Sequence, residues 1–364
     1  MAKSKDKKKR TPIIFFFAAL LAILVVMFIA NSTNVNLLEG QLDVPGGGLT
    51  KLYTVDDLLV GISPTSEVYV WNWENLVKEP KVGSAPAKDG CLIWVSGDKL
   101  FWIPSDNDET VVISDFKTNS EIRHVLLGYR WHGKCLALSN NGKFVALAAL
   151  RKSDTSRKDG FSESVRLDMM SADSEDLSKV ITIDAARDNL VMESLAISDD
   201  GRFIAVVGQR NGIGWVGLVG IKNKKLLWEK SFESSKMLEE VAFAPGGGTV
   251  YAGWAEKSVY SFEAATGKEL IKWLVDDGRI ELEERRMLAK CITVSNDNRF
   301  LAVGREVAGT AWVWDIERRG KPKVFGCGNI HITDIAFSPD STLMVTTSFK
   351  VISKTKIWRI ADAF

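Results

Sequence analysis

Three histidines, His124, His132 and His331, are the only imidazoles in a chain of 364 residues, too few and too scattered for a zinc site of known ligand spacing. The run Asp106, Asn107, Asp108 and Glu109 offers oxygen ligands for a weak calcium ion, but reads more simply as a solvated hairpin tip. Residues 212–217, GIGWVG, match the G-x-G-x-x-G string of dinucleotide-binding loops. Such a loop must open a helix whose N-terminus holds the pyrophosphate; this one runs into WVGLVGI, a strand-forming sequence. There is no G-x-S-x-G elbow and no Walker A loop. No catalytic residue, cofactor or metal ligand is therefore expected. Glu240 and Asp334 are the one carboxylate pair that could do acid–base work, and only if the fold brings them together.

What positions such groups is a repeat. Segment 195–208, LAISDDGRFIAVVG, recurs as LALSNNGKFVAL at 136–147, VAFAPGGGTVYA at 241–252, ITVSNDNRFLAVG at 292–304 and IAFSPDSTLMVT at 335–346. Weaker copies lie at 50–61 and 92–102. The turn position holds Asp56, Asp98, Gly142, Gly201, Gly247, Asn298 and Ser341, all turn-forming types. Intervals of 42 to 59 residues start within the ~40–45 of a four-stranded propeller blade and exceed it where connections are longer. Later strands follow within the repeats, often with Trp or Tyr, as at 68–73, 215–221, 311–316 and 355–360. The reading is an all-β, seven-bladed β-propeller over 35–364, with one helical exception: RIELEERRML at 279–288 could form one or two turns. The last repeat ends at Phe364 without room for its outermost strand. An open sheet edge is avoided in proteins, so residues 35–40, VNLLEG, are expected to close the last blade.

The four cysteines gain meaning from this alignment. Cys91, Cys135 and Cys291 each stand seven residues before a turn position, where the other repeats carry Leu49, Ser194, Glu240 and Asp334. In a propeller these positions ring the mouth of the central channel. One reading is that small residues fit a crowded spot. The other is a polar ring, Cys91, Cys135, Ser194, Glu240, Cys291 and Asp334, that binds an ion or a partner's loop. Equivalent positions in neighbouring blades lie beyond the ~7 Å Cα limit for a disulfide, so free thiols are expected.

Segment 331–340, HITDIAFSPD, resembles the inner strand and turn of WD-repeat proteins, and Trp314-Asp315 is a WD dipeptide. Trp71-Asn72 and Trp358-Arg359 occupy the same place with the Asp lost, and the family's Gly-His dipeptide is absent. The resemblance implies that most blades lack the His, Ser/Thr, Asp, Trp hydrogen-bond tetrad of the standard repeat. Segment 261–273, SFEAATGKELIKW, resembles the repeats of quinoprotein-type propellers instead. One fold hosts many functions, so the resemblance implies architecture more than activity.

The N-terminus is of another kind. Residues 11–30, TPIIFFFAALLAILVVMFIA, carry no charge and are long enough to span a bilayer as a helix. The run is longer than the ~7–15-residue apolar core of a signal peptide, which favours a signal anchor over a cleaved signal peptide. Residues 1–10 hold six Lys or Arg, and the positive-inside bias then makes them a cytoplasmic tail. A short linker, 31–34, leads to a propeller expected on the non-cytoplasmic side, in the periplasm if the membrane is a bacterial inner membrane. The remaining chain carries 41 of 47 basic and 45 of 46 acidic residues, lacking the basic excess of a nucleic-acid binder.

Two charged insertions complete the inventory. Segment 149–164 carries Arg151, Lys152, Arg157 and Lys158; segment 274–289 carries Glu281, Glu283, Glu284, Arg285 and Arg286. In a propeller both emerge on the channel-mouth face, and loops on a rigid scaffold favour binding; the alternative reading is a pair of solvated charge runs. The expected function is a non-enzymatic, membrane-anchored scaffold that docks onto other subunits of a membrane complex. The alternative is a propeller-type enzyme, a lactonase or quinoprotein-like oxidoreductase, acting at the channel mouth.

Overall fold

Each repeat forms a hairpin because its turn supplies its own hydrogen bonds. In four blades a serine opens the turn: its hydroxyl accepts from the amide five residues on, and donates to the Asx two residues on. The pairs are Ser139 with Asn141, Ser198 with Asp200, Ser295 with Asp297 and Ser338 with Asp340, at 2.5–2.8 Å. The accepted amides are those of Phe144, Phe203, Phe300 and Leu343, at 2.9–3.0 Å. The chain then reverses through a positive φ at Gly142 (71°), Gly201 (63°), Asn298 (60°) and Ser341 (60°), and likewise at Gly247 (72°) and Asp56 (50°) in the blades that lack the serine. Glycine reaches this region freely, and Asn, Asp and Ser by local side-chain bonding. These are six of the seven aligned turn residues; Asp98 lies outside the described residues.

The computed structural model describes residues 38–42, 44, 48–76, 78–85, 87–95, 99–118, 120–128, 130–151, 164–172, 177–185, 189–233, 237–254, 258–274, 289–305, 309–326, 331–348 and 355–364. Within them the hairpins extend into seven antiparallel sheets of four strands. The sheets are blades one to seven: 51–84, 87–126, 131–184, 191–232, 238–274, 289–326, and 332–359 with Leu38–Leu42. In every blade but the last, strand order in space follows chain order, innermost to outermost. GIGWVG opens no helix: Asn211 and Gly212 form a turn with positive φ, and Ile213–Gly220 is a strand. Among the described residues no helix is long and apolar enough to cross a membrane, and segments 11–30 and 279–288 lie outside them.

The second and third strands of each blade are buried on both faces. Phe203–Arg210, for example, runs through five consecutive buried residues, Ile204 to Gly208. Such strands read as continuous apolar runs instead of alternating ones. Seven apolar clusters result, each lying between two adjacent blades, so that the ring is one sequence of sheet-on-sheet contacts. The outermost strands face solvent, as Ser120–Leu126 does with Leu126 76% exposed.

The ring closes between blades seven and one. Leu38–Leu42 pairs antiparallel with Thr355–Arg359 and becomes the outermost strand of blade seven. Of the segment 35–40, residues 38–40 belong to this strand and 35–37 lie outside the described residues. Arg359 Nε donates to Glu39 Oε1 at 2.5 Å on its exposed side. Across the seam, the Leu52 amide donates to Asp334 Oδ2 (2.9 Å), Thr54 Oγ1 to the Phe337 carbonyl (2.7 Å), and Thr333 Oγ1 to the Leu49 carbonyl (2.8 Å).

Strand direction separates two faces. The first strands begin at one face, here called the ring face, and end in the serine turns at the other, the turn face. Arg151 ends the second strand of blade three opposite Trp131, where the first strand begins, so the 152–163 insertion leaves from the ring face. Segment 275–288 follows Leu274 and precedes Ala289, both also at the ring face. Leu38, by contrast, pairs with Trp358 near the turn face.

The closing strand gives a direct test. A chain beginning at Gln41 loses most of its ladder to Thr355–Arg359 and bares a sheet edge. It should melt lower than a chain beginning at Asn31 by on the order of 5 °C, each ladder bond contributing ~1 kcal/mol. Equal melting midpoints by circular dichroism would refute a structural role for this strand.

Candidate functional site

The blades enclose a central cavity of about 430 Å³, lined along its length by the first strands. Near the ring face, five of those strands carry a register shift at the same place: between Gly133 and Cys135, Met192 and Ser194, Leu238 and Glu240, Ala289 and Cys291, and Ile332 and Asp334. A bulge re-aims the side chain that follows it. Here it delivers Cys135, Ser194, Glu240, Cys291 and Asp334 to the cavity wall. Blade two has a shift between Ala87 and Leu92. Leu92 pairs with Trp102, which puts Cys91 at the corresponding register position.

The seventh member is Lys51, not the Leu49 that sequence spacing assigns. The hairpin of blade one is two residues shorter, with Val55 paired directly to Leu58; in blade seven the Ser338 amide donates to the Leu343 carbonyl across four intervening residues. Counting back from the turn therefore overshoots by two. Lys51 pairs with Ile62, four residues past Leu58, as Asp334 pairs with Thr347, four past Leu343. Leu49 is instead fully buried beside Tyr69 and Trp71. Its side chain occupies the space a Cβ on Gly61 would need.

A lysine among carboxylates changes the ring's electrostatics. Glu240 and Asp334 hold the Lys51 ammonium well above the ordinary lysine range. Asp334 is 9% exposed, and both its oxygens accept backbone amides, from Leu52 and from Ile335, at 2.9 Å. Burial nonetheless pushes it above the ordinary carboxylate range. Glu240 accepts from Ser194 Oγ at 3.1 Å. Burial and the neighbouring Asp334 and Glu239 charges outweigh Lys51 and the serine, and its carboxyl titrates at about 7. Cys291, 3% exposed, is pushed well above the usual thiol value by burial and by the same two carboxylates. Cys135, half-buried, and Cys291 are free thiols.

The ring can exchange a proton near neutrality and can hold a polar group, but Asp334 is committed to pinning blade seven onto blade one. Among the described residues no three His, Cys, Asp or Glu side chains come together as a metal-holding group. Asp108 at the supposed hairpin tip bonds His132 Nδ1 at 2.7 Å and, through its carbonyl, the Gly133 amide, so it fastens blade two to blade three. Of the charged insertions, Arg151 is exposed at the ring face. Lys152, Arg157, Lys158, Glu281, Glu283, Glu284, Arg285 and Arg286 lie outside the described residues.

Residues 323–350 match the family model described as WD domain, G-beta repeat. That segment contains the outermost strand of blade six and the first two strands of blade seven. Together, the match and the seven-bladed ring support a WD-repeat propeller. No curated protein matches the chain. Part of the standard tetrad survives in blade seven, where Trp358 Nε1 donates to Thr346 Oγ1 at 2.9 Å. In blades two and four the tryptophan N–H finds another acceptor: Trp102 Nε1 donates to Ser114 Oγ and Trp215 Nε1 to Glu229 Oε2 (both 2.9 Å).

Two measurements check the ring. Glu240 titrates above the 4.5 of a free glutamate, so between these values the folded chain holds a proton that the unfolded chain releases. This contribution is fully present on the acid side and is lost as pH rises through about 7. The melting midpoint should fall from pH 5 to pH 8, and Glu240→Gln should reduce that fall; burial also raises Asp168 and Asp334, which contribute in the same direction, whereas Asp200, Asp315 and Asp340 are held low. A slope unchanged in the variant would exclude Glu240. In the native protein a thiol reagent should leave Cys291 unmodified until denaturant is added; rapid native labelling would contradict its burial.

Proposed function

We propose that this protein is a non-enzymatic scaffold, held to a membrane by residues 11–30, that docks onto subunits of a larger membrane complex through the ring face of its propeller. A WD-repeat propeller fits a protein-interaction role. The observation that carries the finer reading is the separation of the two faces. The chain enters its closing strand at Leu38 near the turn face, whereas both charged insertions depart from the ring face. Residues 31–37 reach at most about 25 Å at full extension. An anchor at 11–30 would then keep the turn face near the bilayer and leave the ring face turned outward. Residues 1–10 would lie in the cytoplasm and the propeller on the other side, in the periplasm for a bacterial inner membrane. Against an enzyme of the lactonase or quinoprotein type stands the carboxylate pair itself, since both oxygens of Asp334 already serve backbone amides.

Replacing Arg151, Lys152, Arg157 and Lys158 together with Ser should release partners that co-purify from native membranes in mild detergent. The melting midpoint should stay within about a degree, because loop substitutions away from buried features change stability by only ~0.5 kcal/mol. Unchanged co-purification would move the docking site off this insertion. In the same preparations the full chain should resist alkaline extraction from membranes, and a chain lacking 11–30 should not.

A further inference from the structure

The ring end of the cavity holds two charged groups whose bonding capacity is unspent. Among the described residues Lys51 Nζ makes no hydrogen bond or ion pair, and Glu240 is bonded only through Oε2, to Ser194. An ammonium offers three donors and no acceptor, so any group it binds there is an acceptor. Asp334 is not free to serve, because both its oxygens are held by backbone amides at the blade seven–blade one seam. Lys51 and Glu240 stand on blades one and five, separated by two blades on one side of the ring and three on the other. They therefore face the same cavity from different blades, with Cys135 and Cys291 also on its wall, and Glu240 is the main charge raising the Lys51 ammonium.

We propose that the ring end of the cavity binds a carboxylate group, with Lys51 as its counter-ion and Glu240, protonated, as a hydrogen-bond donor beside it. The charge balance supports this form of site. With both carboxylates ionised, Lys51, Glu240 and Asp334 sum to one negative charge. When a ligand carboxylate enters and Glu240 takes one proton from solvent, the sum is the same: one anion replaces another as the partner of Lys51. Glu240 is suited to that exchange because it titrates near neutrality. The groups facing it are Lys51, Asp334, Cys291 and Ser194 from other blades, and Glu239 on its own strand, itself within 3.9 Å of Lys290. Lys134 and Glu193 also line the cavity on blades three and four. The carboxylate could belong to a free small acid or to a partner peptide's C-terminus or acidic side chain; the chemistry at Lys51 is common to them. This inference does not depend on the docking reading, and either can fail alone.

The test uses the full chain in mild detergent. Binding of ¹³C-labelled acetate is followed by NMR line broadening at pH 6 and pH 8. A short peptide with a free C-terminal carboxylate is compared with its amidated form. Because only the fraction with Glu240 protonated is competent, acetate affinity should fall about tenfold from pH 6 to pH 8. Lys51→Met should abolish binding. Glu240→Gln, which mimics the protonated acid, should keep it and remove its pH dependence, so the proposal stays testable if the lysine variant folds poorly. Tighter binding of the free-carboxylate peptide than of the amide would assign the carboxylate to a peptide, and acetate binding alone to a small acid; both support the site. The proposal is overturned if neither acetate nor peptide binds, if Lys51→Met folds and binds as the parent does, or if Glu240→Gln retains the tenfold pH effect.

Discussion

A sheet that is apolar on both faces needs a neighbour on each side, and a row of such sheets has two bare ends unless it closes. That constraint governs this molecule. The two middle strands of each blade are buried on both faces, and the seven apolar clusters lie between blades and not within them. No blade carries a core of its own. The stability of each therefore depends on closure, and closure depends on the seam between blades seven and one. There the Asp334 carboxylate, the Thr54 and Thr333 hydroxyls, and the Leu38–Leu42 strand bind the last blade to the first. A buried carboxylate is costly unless it is hydrogen-bonded, and Asp334 meets that cost with two amide donors.

The cavity ring is a consequence of how the inner strands are built. Bulges in the first strands of blades three to seven each turn one side chain toward the axis, and in blade one Lys51 reaches the same level in regular register. Most are small or weakly polar. Lys51 and Glu240 are the exceptions whose charges are not already answered by backbone amides, and their mutual influence sets the electrostatics of the cavity. The same face emits both charged insertions, so the polar ring and the longest connections share one side of the disc. The other side is bound together differently. Turn-to-turn hydrogen bonds link neighbouring blades there, with Asp199 accepting from the amides of Asn141 and Gly246, and Asn298 donating to the Pro245 carbonyl. That face is knit by local polar contacts, while the ring face carries the variable loops.

Much of the architecture was legible from residues alone. Repeats with a turn former at one aligned position specify hairpins, because a positive φ restricts which residues can stand there. Ser198 with Asp200 and Ser338 with Asp340 show why the pattern is so regular: the serine, the Asx and the turn residue form one hydrogen-bonded unit. The apolar runs of the middle strands indicate sheets buried on both sides, and seven repeats are enough to close a ring. The same local logic identified Cys135, Ser194, Glu240, Cys291 and Asp334 as equivalent positions, and the structure lines the cavity with them.

Local spacing failed where it had to count across a turn of different length. In blade one the hairpin loop is two residues shorter, so alignment from the turn named Leu49 and missed Lys51. Pairing register, which is a property of two strands and not of one, decides which side chain reaches the axis. The pKa of Glu240, the commitment of Asp334 to the seam and the facing of Lys51 toward both arise between blades far apart in sequence. The sequence by itself determined the strands, the turns and the number of blades, because those follow from short-range sterics, hydrogen bonding and hydrophobic pattern. Tertiary structure alone decided which charges share the cavity, because Coulomb interactions and burial depend on distances that only ring closure sets.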